Sequence, residues 1–469
     1  MILLDVARMA KMVKLKRRGF SLIIILWVFN NISKAQALDS IYVGCTIELS
    51  VTGTLLEPVT NGAVSFVRTP KGSFVYVFGG IDSSLSKEGI HKRSYKINID
   101  SKVVTRLPDL PDSVGKIASS ATRIKDKIYI VGGYYVHSNG SETSSNKVHV
   151  FDAIGDTFLL DAAPIPIPID DQAQFSYLDS LVYVLSGWSN GQNVNNVQVY
   201  DPENNNWFQA DPIPSTYNYK AFGLSGSLGN HGSFVLIGGA QDRPNFPPYS
   251  LVLSGLINEK NSKSISWGRP LELPDPVPFY RGITFFCGWE NQGYIFLGGS
   301  DLTYNYNAKS YLNGQLVHPP NRIYSYWVFE AKLYNMNEND YLNSKLSVPM
   351  DVRDWGKDEV GNLYTVGGID SNASVNRSVI KYAKVDPSTS TEFLNSLEES
   401  VLIKPNPFTN SFKIECDGEM MFSIYSQYDM IFDNIIVNGS VELKLDSKPA
   451  GVYFLRNKET GKSYKIIKQ

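Results

Sequence analysis

At five places the chain sets reactive or adhesive side chains directly behind a proline-rich stretch. Lys116 follows "LPDLPDSVG" (107–115), and Asp170-Asp171-Gln172 follows "PIPIPI" (164–169). Tyr219-Lys220 follows "DPIPSTYN" (211–218), Tyr280-Arg281 follows "LPDPVPF" (273–279), and Arg353-Asp354-Trp355 follows "SVPMDV" (347–352). An arginine fork holds a carboxylate or paired hydroxyls in fixed geometry. A carboxylate beside it accepts hydrogen bonds or moves a proton. Tyrosine and tryptophan add an apolar face with a polar tip. Gathered in one place, these residue types would grip a polar ligand, and what gathers them must be a repeat.

The repeat is visible in six phrases: "VYVFGG" (75–80), "IYIVGG" (128–133), "VYVLSG" (182–187), "FVLIGG" (234–239), "YIFLGG" (294–299) and "LYTVGG" (363–368). Their second glycines stand 52 to 69 residues apart. That spacing is too long for common helical repeats and suits a four-stranded propeller blade, with a kelch period of roughly 50 residues. The strands are short and rich in aromatic and β-branched residues, and turn residues bound them. After the third glycine pair, "VQVYDPENNNWFQADPIP" (197–214) runs as strand, polar turn and returning strand, with Tyr200 and Trp207 seven apart. Phe151 and Phe158, and Tyr334 and Tyr341, share that spacing, and Val385 and Glu392 keep it without the aromatics.

On these residues the chain resembles the kelch family over about residues 40–395. The resemblance implies a six-bladed all-β propeller, with aromatic pairs between blades and double glycines ending the second strands. Ser186 departs from the glycine pattern, and the first and fourth units lack the Tyr-to-Trp spacing. The segment "IYVGCTIELSV" (41–51) has no unit of its own and is expected to complete the last blade, closing the ring and hiding its edges.

Two flanking segments differ. "KMVKLKRRGFSLIIILWVFNNISKAQA" (11–37) carries a basic run, an apolar core and Ala35-Gln36-Ala37, which reads as a secretory signal over residues 1–37. Met12 offers a second start. Beyond residue 396, alternating strands predict a small Ig-like β-sandwich over 397–469. That tail resembles the C-terminal sorting domain of type IX secretion cargo in Gram-negative bacteria, through Pro405-Asn406-Pro407-Phe408, Ile424-Tyr425, Pro449-Ala450-Gly451-Val452-Tyr453-Phe454 and a basic last strand. Tyr428-Asp429-Met430 stands where that family carries a glycine turn. The resemblance implies passage across the outer membrane by the type IX machinery, and hence a secreted or surface location.

Composition narrows the function classes. A net charge of −2 gives no electrostatic reason to bind nucleic acid. Beyond the signal there is no apolar run long enough to span a membrane. Cys45, Cys287 and Cys416 are an odd count, so at least one thiol stays outside any disulfide. "GLSGSLGNHG" (223–232) precedes a strand, whereas a phosphate loop follows one. Asn335, Asn337 and Asn339 lack the carboxylates of a calcium loop. The five histidines show no zinc spacing, and none begins an innermost strand, so no metal or cofactor is expected.

Since each innermost strand of such a blade starts at one end of the axial channel, the residues behind the prolines converge there. The candidate ligand set is Lys116, Asp170, Asp171, Tyr219, Tyr280, Arg281, Arg353 and Trp355. Loops after the double glycines add His137, Asp242-Arg243, and an insert (301–321) with Tyr304, Tyr306 and Tyr311. Two readings stand. One is a module binding a glycan or a protein loop at the channel mouth. The other, implied by the resemblance to sialic-acid-processing kelch proteins, is a cofactor-free sugar mutarotase or epimerase using Asp170 or Asp171 beside Arg281 or Arg353.

Overall fold

The computed structural model describes residues 46–469, apart from 274–277, 287–292, 321–322, 328–331, 337–345, 386–400, 427–429, 447 and 459–462. The signal segment, Cys45 and Cys287 lie outside the described residues. The chain divides into two units, one spanning residues 45–391 and one containing residues 392–469. Both are all-β. Among the described residues the only helical elements are three single 3-10 turns, and no helix is long and apolar enough to cross a membrane.

In the larger unit, the described strands form six antiparallel sheets of at least four strands each. The first runs outward from Ala63–Thr69 through Gly72–Phe78 and Ser94–Asn98 to Val104–Leu107. The next four begin at Ile117–Ile124, Ala173–Tyr177, Ser225–Leu228 and Ile283–Phe286. The sixth begins with only Gly356–Lys357, continues through Leu363–Val366 and Ser378–Val385, and takes its outermost strand from the other end of the unit. There Thr46–Thr54 pairs antiparallel with Ser378–Val385, from Thr46 opposite Val385 to Thr54 opposite Ser378. The described part of the expected closing segment, residues 46–51, thus belongs to the sixth sheet, and residues 41–45 lie outside the described residues.

The double glycines explain how sheets join. Five of the six second glycines, Gly80, Gly133, Gly187, Gly239 and Gly368, donate their N–H to a carbonyl just ahead of a neighbouring sheet's innermost strand. Gly133 reaches Ile169 at 2.9 Å, Gly187 reaches Ala221 at 2.8 Å, and Gly239 reaches Phe279 at 2.8 Å. Gly368 reaches back to Val59 at 3.0 Å, linking the sixth sheet to the first. The first glycine lies against the same carbonyl. A Cβ on Gly238 would stand 1.7 Å from Phe279 O, and one on Gly367 would stand 1.8 Å from Val59 O. Both have positive φ, which glycine adopts without the Cβ penalty.

Between sheets the core is aromatic. The Tyr200 and Trp207 rings lie 5.1 Å apart, and Tyr129 of the second sheet lies 5.5 Å from Tyr200. Trp207 donates Nε1–H to Ala163 O at 2.8 Å. Phe78, Phe151 and Phe158 repeat the arrangement between the first and second sheets. Each buried aromatic of this size removes on the order of 150–250 Å² from water. These contacts join neighbouring sheets through their middle and outer strands.

The smaller unit orders its strands Leu402–Lys404, Ser411–Ser426, Gly451–Asn457 and Ser463–Lys468, with Met430–Lys444 also paired to the second of these. Its own core includes Phe408, Phe412, Ile414, Phe422 and Cys416. The Pro-Asn-Pro-Phe turn meets the last strand: Asn406 Oδ1 accepts the Ile467 N–H at 2.9 Å, and Phe408 donates to Ile467 O at 2.8 Å.

Candidate functional site

Every sheet of the larger unit opens its inner edge with the same three-residue step. The third residue of each step has left-handed φ: Asn61 (55°), Ala118 (57°), Asp171 (53°), Gly223 (64°), Arg281 (49°) and Asp351 (59°). The second residue bridges to the loop after the double glycine, as in Asp170 with Trp188, Tyr280 with Ser300, and Met350 with Ile369. In four of the six steps the third residue's N–H turns to a backbone carbonyl of the preceding sheet, Asn61 to Asp351 O, Asp171 to Ala118 O, Gly223 to Asp171 O, and Arg281 to Gly223 O, at 2.8–3.1 Å, and Ala118 N–H turns to Asn61 Oδ1. A left-handed residue with a side chain costs roughly 1–2 kcal/mol. That cost recurs around the axis because the turn links neighbouring sheets.

The side chains carried by this ring meet. Arg281 donates Nε to Asp171 Oδ1 at 3.1 Å, Nη2 to Asp171 Oδ2 at 2.8 Å, and Nη1 to Asp351 Oδ1 at 2.9 Å. Arg353 Nη1 lies 3.2 Å from Asp171 Oδ1, and its Nη2 donates to Gln172 O at 3.0 Å. Asp351 also accepts from Thr60 Oγ1 at 3.0 Å and from Asn61 Nδ2 at 3.3 Å. The four charged side chains are each at most 3 % exposed. Burial raises the Asp351 carboxyl, and the Arg281 charge opposes that rise. In the sixth sheet residues 353–355 precede the short innermost strand, and Asp354 accepts from Ser120 Oγ and from the N–H groups of Ala121 and Val64. Burial pushes Asp354 up to about 6.

Above the ring sits an aromatic layer. Tyr280 is wholly buried, donates its hydroxyl to Tyr304 O at 3.2 Å, and lies with Tyr304 about Arg281 at ring distances of 5.1 and 5.3 Å. Tyr304 comes from the insert, which folds back on itself through Tyr311 N–H to Thr303 O and Val317 N–H to Ala308 O. Half-buried Trp188, Phe246 and Tyr311 continue outward, with Phe246 4.7 Å from Tyr311 and 5.6 Å from Trp188. Glu142 is exposed, yet its surroundings desolvate the carboxyl and raise its pKa, against a hydrogen bond from Asn305.

The cluster is polar beyond its internal pairs. Among the described residues, Asp170 Oδ2, Gln172 Oε1, Arg353 Nε and Tyr304 OH are buried with no hydrogen-bond partner. Burial first, and then the Asp171 charge, pushes the Asp170 carboxyl well above the usual carboxylate range. Buried polar groups are nearly always paired with protein or water, so four orphans around one ion cluster need explaining.

Asp170, Asp171, Tyr280, Arg281 and Arg353 therefore come together, and Trp355 is half-buried just beyond them. Two candidates go elsewhere. Tyr219 packs between the third and fourth sheets and donates to Gly238 O at 2.8 Å. Lys116 is buried 3.1 Å from Asp112, in a network where Asp112 also meets Lys147 and His149, and His149 meets Asp161. Burial would raise Asp112, but the His149 hydrogen bond and the Lys116 charge hold it well below the carboxylate range. Both were expected at the mouth because their proline-rich leads matched. Lys116 stands two places ahead of the left-handed Ala118, and Tyr219 four places ahead of Gly223. Asp351, Asn61 and Thr60 escaped the sequence reading, although "VTN" (59–61) and "PMD" (349–351) occupy the same step as "IDD" (169–171). His137 bonds Thr143, and Asp242 pairs with Lys220, both near the surface. Among the described residues no group of three or more His, Cys, Asp or Glu side chains is placed to hold a metal ion.

Comparison with known proteins agrees with this architecture. The Kelch motif matches residues 175–212, nearly the whole third sheet. Beta-scruin of Limulus polyphemus is 27% identical over 172 residues, a match covering 34% of this chain and 18% of that protein. Among solved structures, that of YjhT aligns with a TM-score of 0.54 at 16% identity, covering 72% of this chain and all of its own. A copper-containing fungal alcohol oxidase of the AA5 family aligns at a TM-score of 0.48 and 10% identity, over 89% of this chain and 99% of its own. The repeated sheets, their glycine junctions and the matched motif identify the larger unit as a kelch-repeat β-propeller.

Proposed function

We propose that this propeller is an exported binding module whose ligand, a glycan or a protein loop, enters at the loop end of the axial channel. The observation that carries this reading is the set of four buried, unpartnered polar atoms around the Arg281–Asp171 pair. The half-buried aromatics Trp188, Phe246 and Tyr311 lead toward them, a layout suited to a ligand with both apolar faces and hydroxyls. The tail is read as the address for type IX secretion. A glycan array probed with the full chain, then with Trp188→Ala and Tyr311→Ala, tests the site. Binding lost in both variants with unchanged melting temperature supports it, and binding that survives both refutes it.

A second reading has one observation in its favour. Asp170 Oδ2 has no partner among the described residues, and burial, then the Asp171 charge, raises its carboxyl while Arg281 opposes the rise, as suits a carboxyl that holds and passes a proton. If the site isomerises a sugar, NMR exchange spectroscopy will show anomer interconversion faster than the uncatalysed rate, and Asp170→Asn will abolish the excess.

A further inference from the structure

We infer that the axial site takes an uncharged, hydroxyl-rich group, the ring of a neutral sugar, in preference to an acidic one. This rests on the reading of the loop end as the ligand site and narrows what that site selects.

Both arginine forks are already occupied. Arg281 places Nε and Nη2 on the two oxygens of Asp171 and Nη1 on Asp351. Arg353 turns Nη1 to Asp171 and Nη2 to Gln172 O. A ligand carboxylate is held best by two parallel N–H donors from one guanidinium. Of these two buried guanidiniums only Nε of Arg353 remains without a partner among the described residues, so neither buried fork is open to receive one, while Arg243 stands exposed against the Phe246 ring.

Charge points the same way. Arg243, Arg281 and Arg353 face Asp171, Asp351 and Glu142, and Asp170 stands among them. Protonated, Asp170 leaves the set balanced. Ionised, it leaves an excess negative charge. In neither state does an anion meet a net positive site.

The buried, unpartnered atoms also match hydroxyls by kind. Arg353 Nε can only donate, Gln172 Oε1 can only accept, and Tyr304 OH does either. Asp170 Oδ2 accepts, and donates when protonated. Sugar hydroxyls donate and accept, so they can satisfy all four. A carboxylate only accepts, and would leave Gln172 Oε1 facing another acceptor. The belt formed by Trp188, Phe246 and Tyr311 supplies the apolar face that a pyranose ring needs.

The test compares matched sugars on the full chain by isothermal titration at neutral pH and moderate salt: methyl galactoside against galacturonate, and methyl glucoside against glucuronate. The neutral member of the binding pair is expected to bind at least tenfold tighter, roughly what one added hydrogen bond supplies. Tyr304→Phe keeps the ring over Arg281 and removes only the orphan hydroxyl. It should weaken the neutral sugar about fivefold or more without lowering the melting temperature. An acidic sugar that equals or beats its neutral partner overturns the inference while leaving the site standing. If neither class binds at millimolar concentration, the saccharide reading of the loop end fails and the inference falls with it. Unchanged affinity in Tyr304→Phe also overturns it, by removing the hydroxyl from the recognition set.

Discussion

Arg281 grips Asp171 at two points, 3.1 and 2.8 Å, across 110 residues of sequence. From sequence alone Arg281 reads as a solvent-facing ligand holder whose loss leaves stability unmoved. Its side chain is 2 % exposed, which reverses that expectation. Arg281→Ala takes from Asp171 its two-point partner and from Asp351 its ion pair, and breaking a buried pair by removing one partner costs roughly 3–5 kcal/mol. Urea denaturation should show a loss of that size. A change below about 1 kcal/mol, the scale of an exposed pair, would mean the cluster is solvated.

The glycine junctions predict a contrast between two equivalent positions. Gly238→Ala drives a Cβ into Phe279 O, the carbonyl that Gly239 needs, and should cost about 2–5 kcal/mol through strain and overpacking. Ser186 occupies the same place at φ 53°. Its hydroxyl lies 2.8 Å from Val194 O and 3.0 Å from Ala221 O, and accepts the Ala221 N–H at 2.9 Å. Ser186→Gly should stay within about 1 kcal/mol of the parent, because lost hydrogen bonds offset relieved backbone strain. Paired thermal melts decide this.

Two buried groups should bend the pH profile in opposite directions. His91 has both ring nitrogens unpartnered among the described residues, and burial, then the Arg93 charge, lowers it from 6.5 to about 4. The unfolded chain binds that proton more tightly, so stability is full above about pH 6.5 and falls as pH drops toward 4. Asp354, raised to about 6, binds its proton more tightly when folded. Its contribution is present below about pH 3.9 and is lost as pH rises through 6. His91→Leu should therefore flatten the acid-side loss, and Asp354→Asn should flatten the opposite slope, each by at most roughly 3 kcal/mol. Melting temperatures across pH 4 to 7 that keep their parental slopes in both variants would contradict this.

Removal of residues 397–469 tests the proposed export route. The two units hold separate cores, so the truncated propeller should unfold at the parental temperature. If the tail is the type IX address, the truncated protein should stay in the periplasm, and mature secreted protein should begin near Leu38 and lack the tail. Cell fractionation with N-terminal sequencing gives the answer, and normal secretion without the tail would refute the assignment.

Sheet number and junction type were legible in the sequence because they are local. A strand followed by two glycines, one of which must escape a neighbouring carbonyl, leaves the same mark each time it occurs. The convergence of Asp171, Arg281 and Arg353 was also legible, since equivalent steps in successive sheets must face one axis. What sequence could not supply was the environment at that axis. Whether Arg281 meets water or two carboxylates depends on Asp351, a sheet away, and on an insert that brings Tyr304 over the ring. Lys116 and Tyr219 share the proline-rich lead of the true ring residues, yet a shift of two and four places puts them into Asp112's network and an intersheet core. The left-handed third residue of each step breaks the alternation of an extended strand, so position in the step decided residue type, and only the packed ring decided what each residue faces.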